Sequence, residues 1–297
     1  MENMRGIVLM ILAMAGFAIE DVMVKTVAKH VPLGQVLIVM GLVGTTFFAT
    51  IARMKNRPIW DRILLNPSVM GRNICEMAGT MGFVLSITLL PLSTASSIFQ
   101  ATPLAMTMGA ALFLGESVGW RRWSAIAVGF VGVLLIIRPG MDTFDPRSLW
   151  AILAVIALTG RDLFSRTVPK SIADVQLSTY GFATLLPMGG ILLYFSDGLT
   201  QPDTTQWMLI LGACLFSIGA YYALTAASRL GEVSVITPFR YSRLIFAMIF
   251  GYTIFNERPD ALTLAGAALI IGSGLYTFLR ERALGKKQNL MDADTTV

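Results

Sequence analysis

The sequence is short of the residues that soluble enzymes work with. It has one histidine, His30, so no His-based triad and no multi-histidine metal site can be built. Its two cysteines, Cys75 and Cys214, both fall in apolar runs. They form no metal or redox motif and read as small buried hydrophobes. No glycine-rich phosphate loop ending in Lys and Ser or Thr is present, which excludes an internal ATPase. Charge is scarce, at 14% of 297 residues, against about 25% in a soluble domain. No stretch remains for a soluble catalytic domain, and no cofactor or metal is implied.

Apolar runs of bilayer-crossing length take up the rest. The chain is 55% hydrophobic with a mean hydropathy of +0.68. The pattern predicts an all-α membrane protein with ten spans near residues 6–24, 33–52, 70–90, 95–114, 123–137, 149–164, 177–195, 207–227, 233–255 and 262–279. Arg5, the apolar stretch after it and Ala13-Met14-Ala15 resemble a signal peptide. The likeness of this run to the sixth one keeps it as a helix. The net charge of +5 reads as loop orientation rather than nucleic-acid binding. Arg53, Lys55, Arg57, Arg62, Arg121, Arg122, Arg166, Lys170, Arg280 and Arg282 fall on one side. Few basic residues fall on the other. Both termini are therefore expected in the cytoplasm, and the polar tail 285–297 is expected to be disordered.

An internal repeat sets the expected architecture. Asp21 and Lys25 close span one as Asp162 and Arg166 close span six, 141 positions later. Gln35 and Gln176, and Glu116 and Glu257, share that offset of 141. Leu92 and Ser96 match Leu230 and Ser234 at 138. The spacing predicts five-span halves, 1–140 and 141–284, followed by the tail. An odd number of spans per half inverts the second copy, giving a 5+5 inverted repeat around a central cavity.

These features resemble the EamA-type branch of the drug/metabolite transporter superfamily. Glu116 and Glu257, the segments Thr237-Pro238-Phe239-Arg240-Tyr241 and Asn256-Glu257-Arg258-Pro259-Asp260, and Asp21-Val22-Met23-Val24-Lys25 carry the resemblance, which covers nearly the whole chain. It implies a carrier fold in a bacterial cytoplasmic membrane, without an ATP-binding domain. Members of that branch move amino acids, S-adenosylmethionine, riboflavin and other small metabolites.

The residues themselves point to a transport site. Arg240 and Arg243 lie in an otherwise apolar run. Each costs roughly 2.5–3.5 kcal/mol at a helix centre unless sheltered. Arg240 is the candidate for a carboxylate or phosphate on the cargo, with Tyr241, Gln100, Glu76 and Tyr222 as further contacts. The plainer reading has the arginines neutralising Glu76 or Asp162. Glu76 follows Arg72 by four residues, which fits an intrahelical ion pair or a proton carrier. Asp21 with Lys25, and Asp162 with Arg166, are expected as helix-end pairs that gate opposite sides. Glu20 and Arg161 precede the two acids and break the symmetry. Pro103 and Pro238 are expected to kink spans four and nine. The expected function is secondary transport of a small polar metabolite, an amino acid, a derivative or a similar anionic or zwitterionic solute, coupled to protons or running by exchange. A larger vitamin- or nucleoside-like cargo is the alternative, and a membrane-embedded enzyme using Asp21 and Asp162 is the alternative of another class.

Overall fold

The computed structural model describes residues 2–59, 65–116, 118–169, 171–196, 198–229 and 236–294. Its helices are α1 Glu2–Val27, α2 Leu33–Met54, α3 Pro67–Leu89, α4 Leu92–Phe99, α5 Thr102–Phe113 and α6 Trp120–Ile137. They continue as α7 Ser148–Thr167, α8 Asp174–Ala183, α9 Leu185–Tyr194, α10 Thr204–Arg229, a 3-10 turn at Thr237–Tyr241, α11 Ser242–Phe255 and α12 Ala261–Asp294. No strand is formed among the described residues. The expected matches at Leu230 and Ser234, and the loop residues Arg62 and Lys170, lie outside the described residues.

Seven stretches among the described residues are long and apolar enough to cross a bilayer: α1, α2, α6, α7, α8 continued by α9, α10 and α12. The expected spans three, four and nine are the ones that fall short. α3 has the length but carries Arg72, Asn73 and Glu76 in its first half. Span four divides at Gln100 and Ala101 into α4 and α5, with Pro103 in the first turn of α5. In span nine, the 3-10 turn carrying Pro238 precedes α11. Proline has no N–H and its ring clashes with the preceding turn, so both breaks start where the sequence places a proline. The tail departs from expectation: α12 runs on to Asp294. Its Ala, Leu, Lys and Gln residues are good helix formers and extend the preceding helix without a nucleation cost.

The packing partners come in matched sets. α1 lies along α10 and α7 along α3. α1 also meets α11 and α7 meets α5. α2 packs on α8 and α9, α6 on α12, and α4 on α11. The largest core cluster holds Val27, Leu37, Met40, Ile87, Met188 and Ile210. α6 and α12 approach backbone to backbone: a Cβ on Gly132 would lie 2.7 Å from the Gly266 carbonyl oxygen, so only glycine fits. Outward, Met208, Leu211, Leu215 and Tyr222 form one exposed stripe on α10. Such a stripe suits lipid, not water.

The two ends of the molecule are tied by exchanged contacts. At one end Gln35, which opens α2, bonds both backbone groups of Thr200 at 2.9 and 3.1 Å. At the other, Gln176 in α8 donates to the Pro58 carbonyl at 2.5 Å and Thr167 to Ser68 at 2.9 Å. Arg138 and Asp260 pair at the Gln35 end. There the guanidinium and the Thr263 groups hold the Asp260 carboxyl well below the usual carboxylate range.

Candidate functional site

Polar side chains meet in the interior where α1, α3, α7, α10 and the start of α11 converge. Asp21 of α1 is 3% exposed. It takes Arg243 of α11 in a forked pair, with Nη2 at 2.9 Å from each oxygen and Nε at 3.2 Å. The Arg243 guanidinium also lies over the rings of Phe83, Phe17 and Phe99, at 4.6, 5.2 and 5.4 Å from their centroids. Carboxylate and aromatic faces together satisfy a cation far from water. Arg243 is therefore a structural cation. Glu20, one residue before Asp21, is half-buried and lies beside Ser217 of α10.

A second charged group lies on α3 and α7. Glu76 is held by Arg72 at 3.2 Å and by Arg161 at 3.1 Å. Arg161 also grips Asp162 at 2.7 Å. Arg240, in the 3-10 turn, is half-buried and lies within electrostatic reach of Asp162 and Arg161. Among the described residues it makes no hydrogen bond or ion pair. Tyr221 lies near Arg161 and packs its ring on Phe48 and Phe182.

The expected helix-end pairs form with other partners. Lys25 does not pair with Asp21. It faces Glu257 at 3.8 Å and donates to the carbonyls of Ile87, at 2.7 Å, and of Leu90. Glu257 in turn accepts from the backbone N–H of Leu92 at 2.6 Å and of Ser93 at 2.9 Å, and from the Ser93 hydroxyl at 2.8 Å. A carboxylate on these free amide groups is favoured by the helix dipole of α4. Arg166 does not pair with Asp162; it meets Glu116 at 2.6 Å. Lys25 and Arg166, and Glu116 and Glu257, are both 141 positions apart. The pairs thus swap between the halves of the sequence. Asp21 takes the two-pronged guanidinium of Arg243 over the ammonium of Lys25; Asp162 takes the adjacent Arg161, while Arg166, itself a guanidinium, is held by Glu116.

The other expected site residues divide. Gln100 is buried at the break between α4 and α5, 140 positions before Arg240 at the break before α11. Tyr241 is buried with its hydroxyl in the space beside Gly274 of α12, so it packs and does not line the site. Tyr222 is 69% exposed on the outer stripe of α10, which corrects its expected role; its neighbour Tyr221 points inward. Glu76, taken by two arginines, has little capacity left for a cargo. The partner roles of Glu116 and Glu257 escaped the sequence reading. Their shared offset with Lys25 and Arg166 was the signal that would have found them.

The EamA-like transporter family matches residues 4–138 and again 147–279. The chain belongs to this family. Within it, the chain is 29% identical to an S-adenosylmethionine uptake transporter of Rickettsia bellii over 73% of this chain and 74% of that one. It is 30% identical to a riboflavin transporter of Brucella anthropi over 67% and 72%, and 22% identical to a pseudopaline exporter of Pseudomonas aeruginosa over 90% and 93%. A solved crystal structure shares the fold at a TM-score of 0.59 and 16% identity, covering 95% of this chain and 98% of that one. The family and these relatives are transporters, not enzymes, so the membrane-enzyme alternative falls. In the structure Asp21 and Asp162 pair with different arginines, Arg243 and Arg161. The chain is a multi-pass membrane protein of the transporter type.

Proposed function

We propose that the chain is a secondary carrier that moves a small polar metabolite across a bacterial cytoplasmic membrane by alternating access. Arg240 receives an anionic group of the cargo. The observation that carries this is the half-buried Arg240 guanidinium, which has no ion-pair partner among the described residues and sits at a helix break. Broken helices at membrane depth are where carriers place their sites. Gln100 stands at the matching break.

The ten-span, 5+5 inverted reading is part of the proposal, with halves at 1–140 and 141–284 and both termini cytoplasmic. Three observations support it. The family matches twice along the chain. Exchanging the halves turns the α1–α10 contact into α7–α3, and α1–α11 into α7–α5. The same exchange turns the Lys25–Glu257 pair into Arg166–Glu116.

These two pairs are the proposed gates, in place of pairs within α1 and within α7. Their side chains differ in exposure: 10% for Lys25 and Glu257, against 49% and 50% for Arg166 and Glu116. Between them, Asp162 and Arg161 are 27% exposed. That gradient supports a conformation closed at the Lys25 end and opening toward the Arg166 end. Protons are the proposed coupling ion, with exchange as the other mode.

Relatives named for S-adenosylmethionine and pseudopaline fit an anionic or zwitterionic cargo. Those named for riboflavin favour a second class, a larger vitamin-like metabolite. Uptake into proteoliposomes is the test, with amino acids, S-adenosylmethionine and riboflavin as cargoes, with and without a pH gradient. Arg240→Gln is expected to lower uptake of carboxylate cargoes by roughly 30-fold or more, as losing one partner of a buried charge pair does. Unchanged uptake and affinity in that variant refute the anion role.

A further inference from the structure

The α6–α12 helix pair is finished differently at its two ends. At one end Arg138, which closes α6, pairs with Asp260, the residue before α12. Asp260 also caps α12, accepting from the Thr263 N–H at 3.0 Å. Among the described residues the opposite end has no such pair. Gly119, the residue before α6, stands 141 positions before Asp260 and gives no side-chain cap. Arg280 of α12 stands 142 positions after Arg138. Its Nη1 is buried and has no hydrogen-bond partner among the described residues. Glu116, the acid nearest Gly119 in the chain, is already held by Arg166.

The two helices pack antiparallel, and their register places Arg280. Gly132 meets Gly266, and a Cβ on Gly129 would lie 2.8 Å from the Ser273 hydroxyl. Continued two turns along α12, that register brings Arg280 level with the first turn of α6. A groove of about 340 Å³ lies between the helices at this end, lined by Trp120, Arg121, Ser124, Val128 and Tyr276. Tyr276 precedes Arg280 by about one turn. The Arg121 guanidinium lies 5.4 Å from the Trp120 ring centroid and makes no ion pair among the described residues. Toward the middle of α6, Val128, Val131 and Leu134 are exposed. On α12, a Cβ added to Gly272 would meet nothing within 4 Å.

We propose that this groove seats one anionic phospholipid, whose phosphodiester fills the place that the Asp260 carboxylate takes at the other end. Arg280 and Arg121 hold the phosphate, and Trp120 and Tyr276 flank it at headgroup depth. An acyl chain lies along Val128, Val131 and Leu134. Basic pockets between transmembrane helices accept such headgroups, and Trp and Tyr favour that depth. A guanidinium nitrogen buried without an acceptor is costly, and a phosphate oxygen supplies a charge-assisted one. A choline headgroup would bring its own cation to two arginines, so the anionic lipid is preferred. Free phosphate would leave the apolar track bare, which a lipid covers.

The test is native mass spectrometry of the full chain, delipidated in detergent, with phosphatidylglycerol, phosphatidylcholine of the same acyl chains, or inorganic phosphate added. The wild type is expected to hold phosphatidylglycerol at least about tenfold more tightly than phosphatidylcholine, and inorganic phosphate is expected not to displace it. Arg280→Gln should bring that ratio close to one. Gly119→Asp, at a site where a Cβ meets nothing within 4 Å, supplies the missing carboxylate and should erase the ratio too. Gly119→Ser, a cap without charge, should keep it. Arg53→Gln, at the end of α2 and outside the groove, should also keep it. No preference in the wild type overturns the proposal, as does an unchanged ratio in Arg280→Gln. If that variant fails to fold, an unchanged ratio in Gly119→Asp decides in the same way. An equal loss in Arg53→Gln overturns it in favour of general surface attraction. Displacement by inorganic phosphate overturns it in favour of a free-anion site.

Discussion

Replacing Glu257 with Gln is expected to release the Lys25 end of the molecule. The carboxylate takes three hydrogen bonds at the start of α4, at 2.6, 2.9 and 2.8 Å, and neutralises Lys25 at 3.8 Å. Both side chains of the pair are 10% exposed, so solvent does little to screen them. Removing one partner of such a buried pair costs roughly 3–5 kcal/mol. Gln keeps an acceptor for one of the N–H groups, a neutral bond of about 1 kcal/mol. The net loss is then about 3 kcal/mol, which falls only on the closed arrangement. That shifts its balance with an open one by about 100-fold. The matching change at the other end, Glu116→Gln, breaks a half-exposed pair. Such pairs contribute roughly 0–1 kcal/mol, a shift below about fivefold. Ser96 of α4 is buried, with no partner for its hydroxyl among the described residues, and cysteine is close to it in size. With Cys75 and Cys214 changed to Ala, the labelling rate of Ser96→Cys by a membrane-impermeant maleimide reports the opening. Glu257→Gln should raise it by about two orders of magnitude and Glu116→Gln only slightly. Equal effects, or none from Glu257→Gln in a folded protein, would refute the gate assignment.

Asp21→Asn strands the Arg243 guanidinium among three rings. It should cost roughly 3–5 kcal/mol of stability in denaturant unfolding in lipid, and Asp21→Leu combined with Arg243→Met should recover much of it. Asp260, outside the spans, has its carboxyl held low by Arg138. A carboxyl lowered in the folded state stabilises it above the ordinary value of about 3.9, and that contribution is lost as pH falls through the folded-state value. The gap in melting temperature between wild type and Asp260→Asn should thus be steady from about pH 8 to 5 and shrink below about pH 4.

Much of the molecule is legible in order along the chain. Apolar runs give most of the helices to within a few residues, since lipid demands long, internally bonded segments. The prolines mark the breaks, and the offset of 141 supports the proposed duplication. The ends of the runs are less legible, because α12 gains its last turns by continuing a helix already formed. Span three falls short because it carries Arg72 and Glu76, and spans four and nine because they break at Gln100 and at the turn bearing Arg240.

The sequence by itself determined where charge falls inside apolar runs and which positions recur at an offset of 141. Partnership was decided only in three dimensions. Residues four apart on one helix looked like natural mates, as Asp21 and Lys25 do, yet Asp21 joined Arg243 and Lys25 joined Glu257. Helical spacing reports which side chains can meet within an element. Which charge is paired and which is left open depends on what the neighbouring helices bring within reach. Tertiary packing alone sent Tyr222 outward and left Arg240 without an ion-pair partner among the described residues, because a guanidinium or carboxylate takes the closest well-aligned partner within reach.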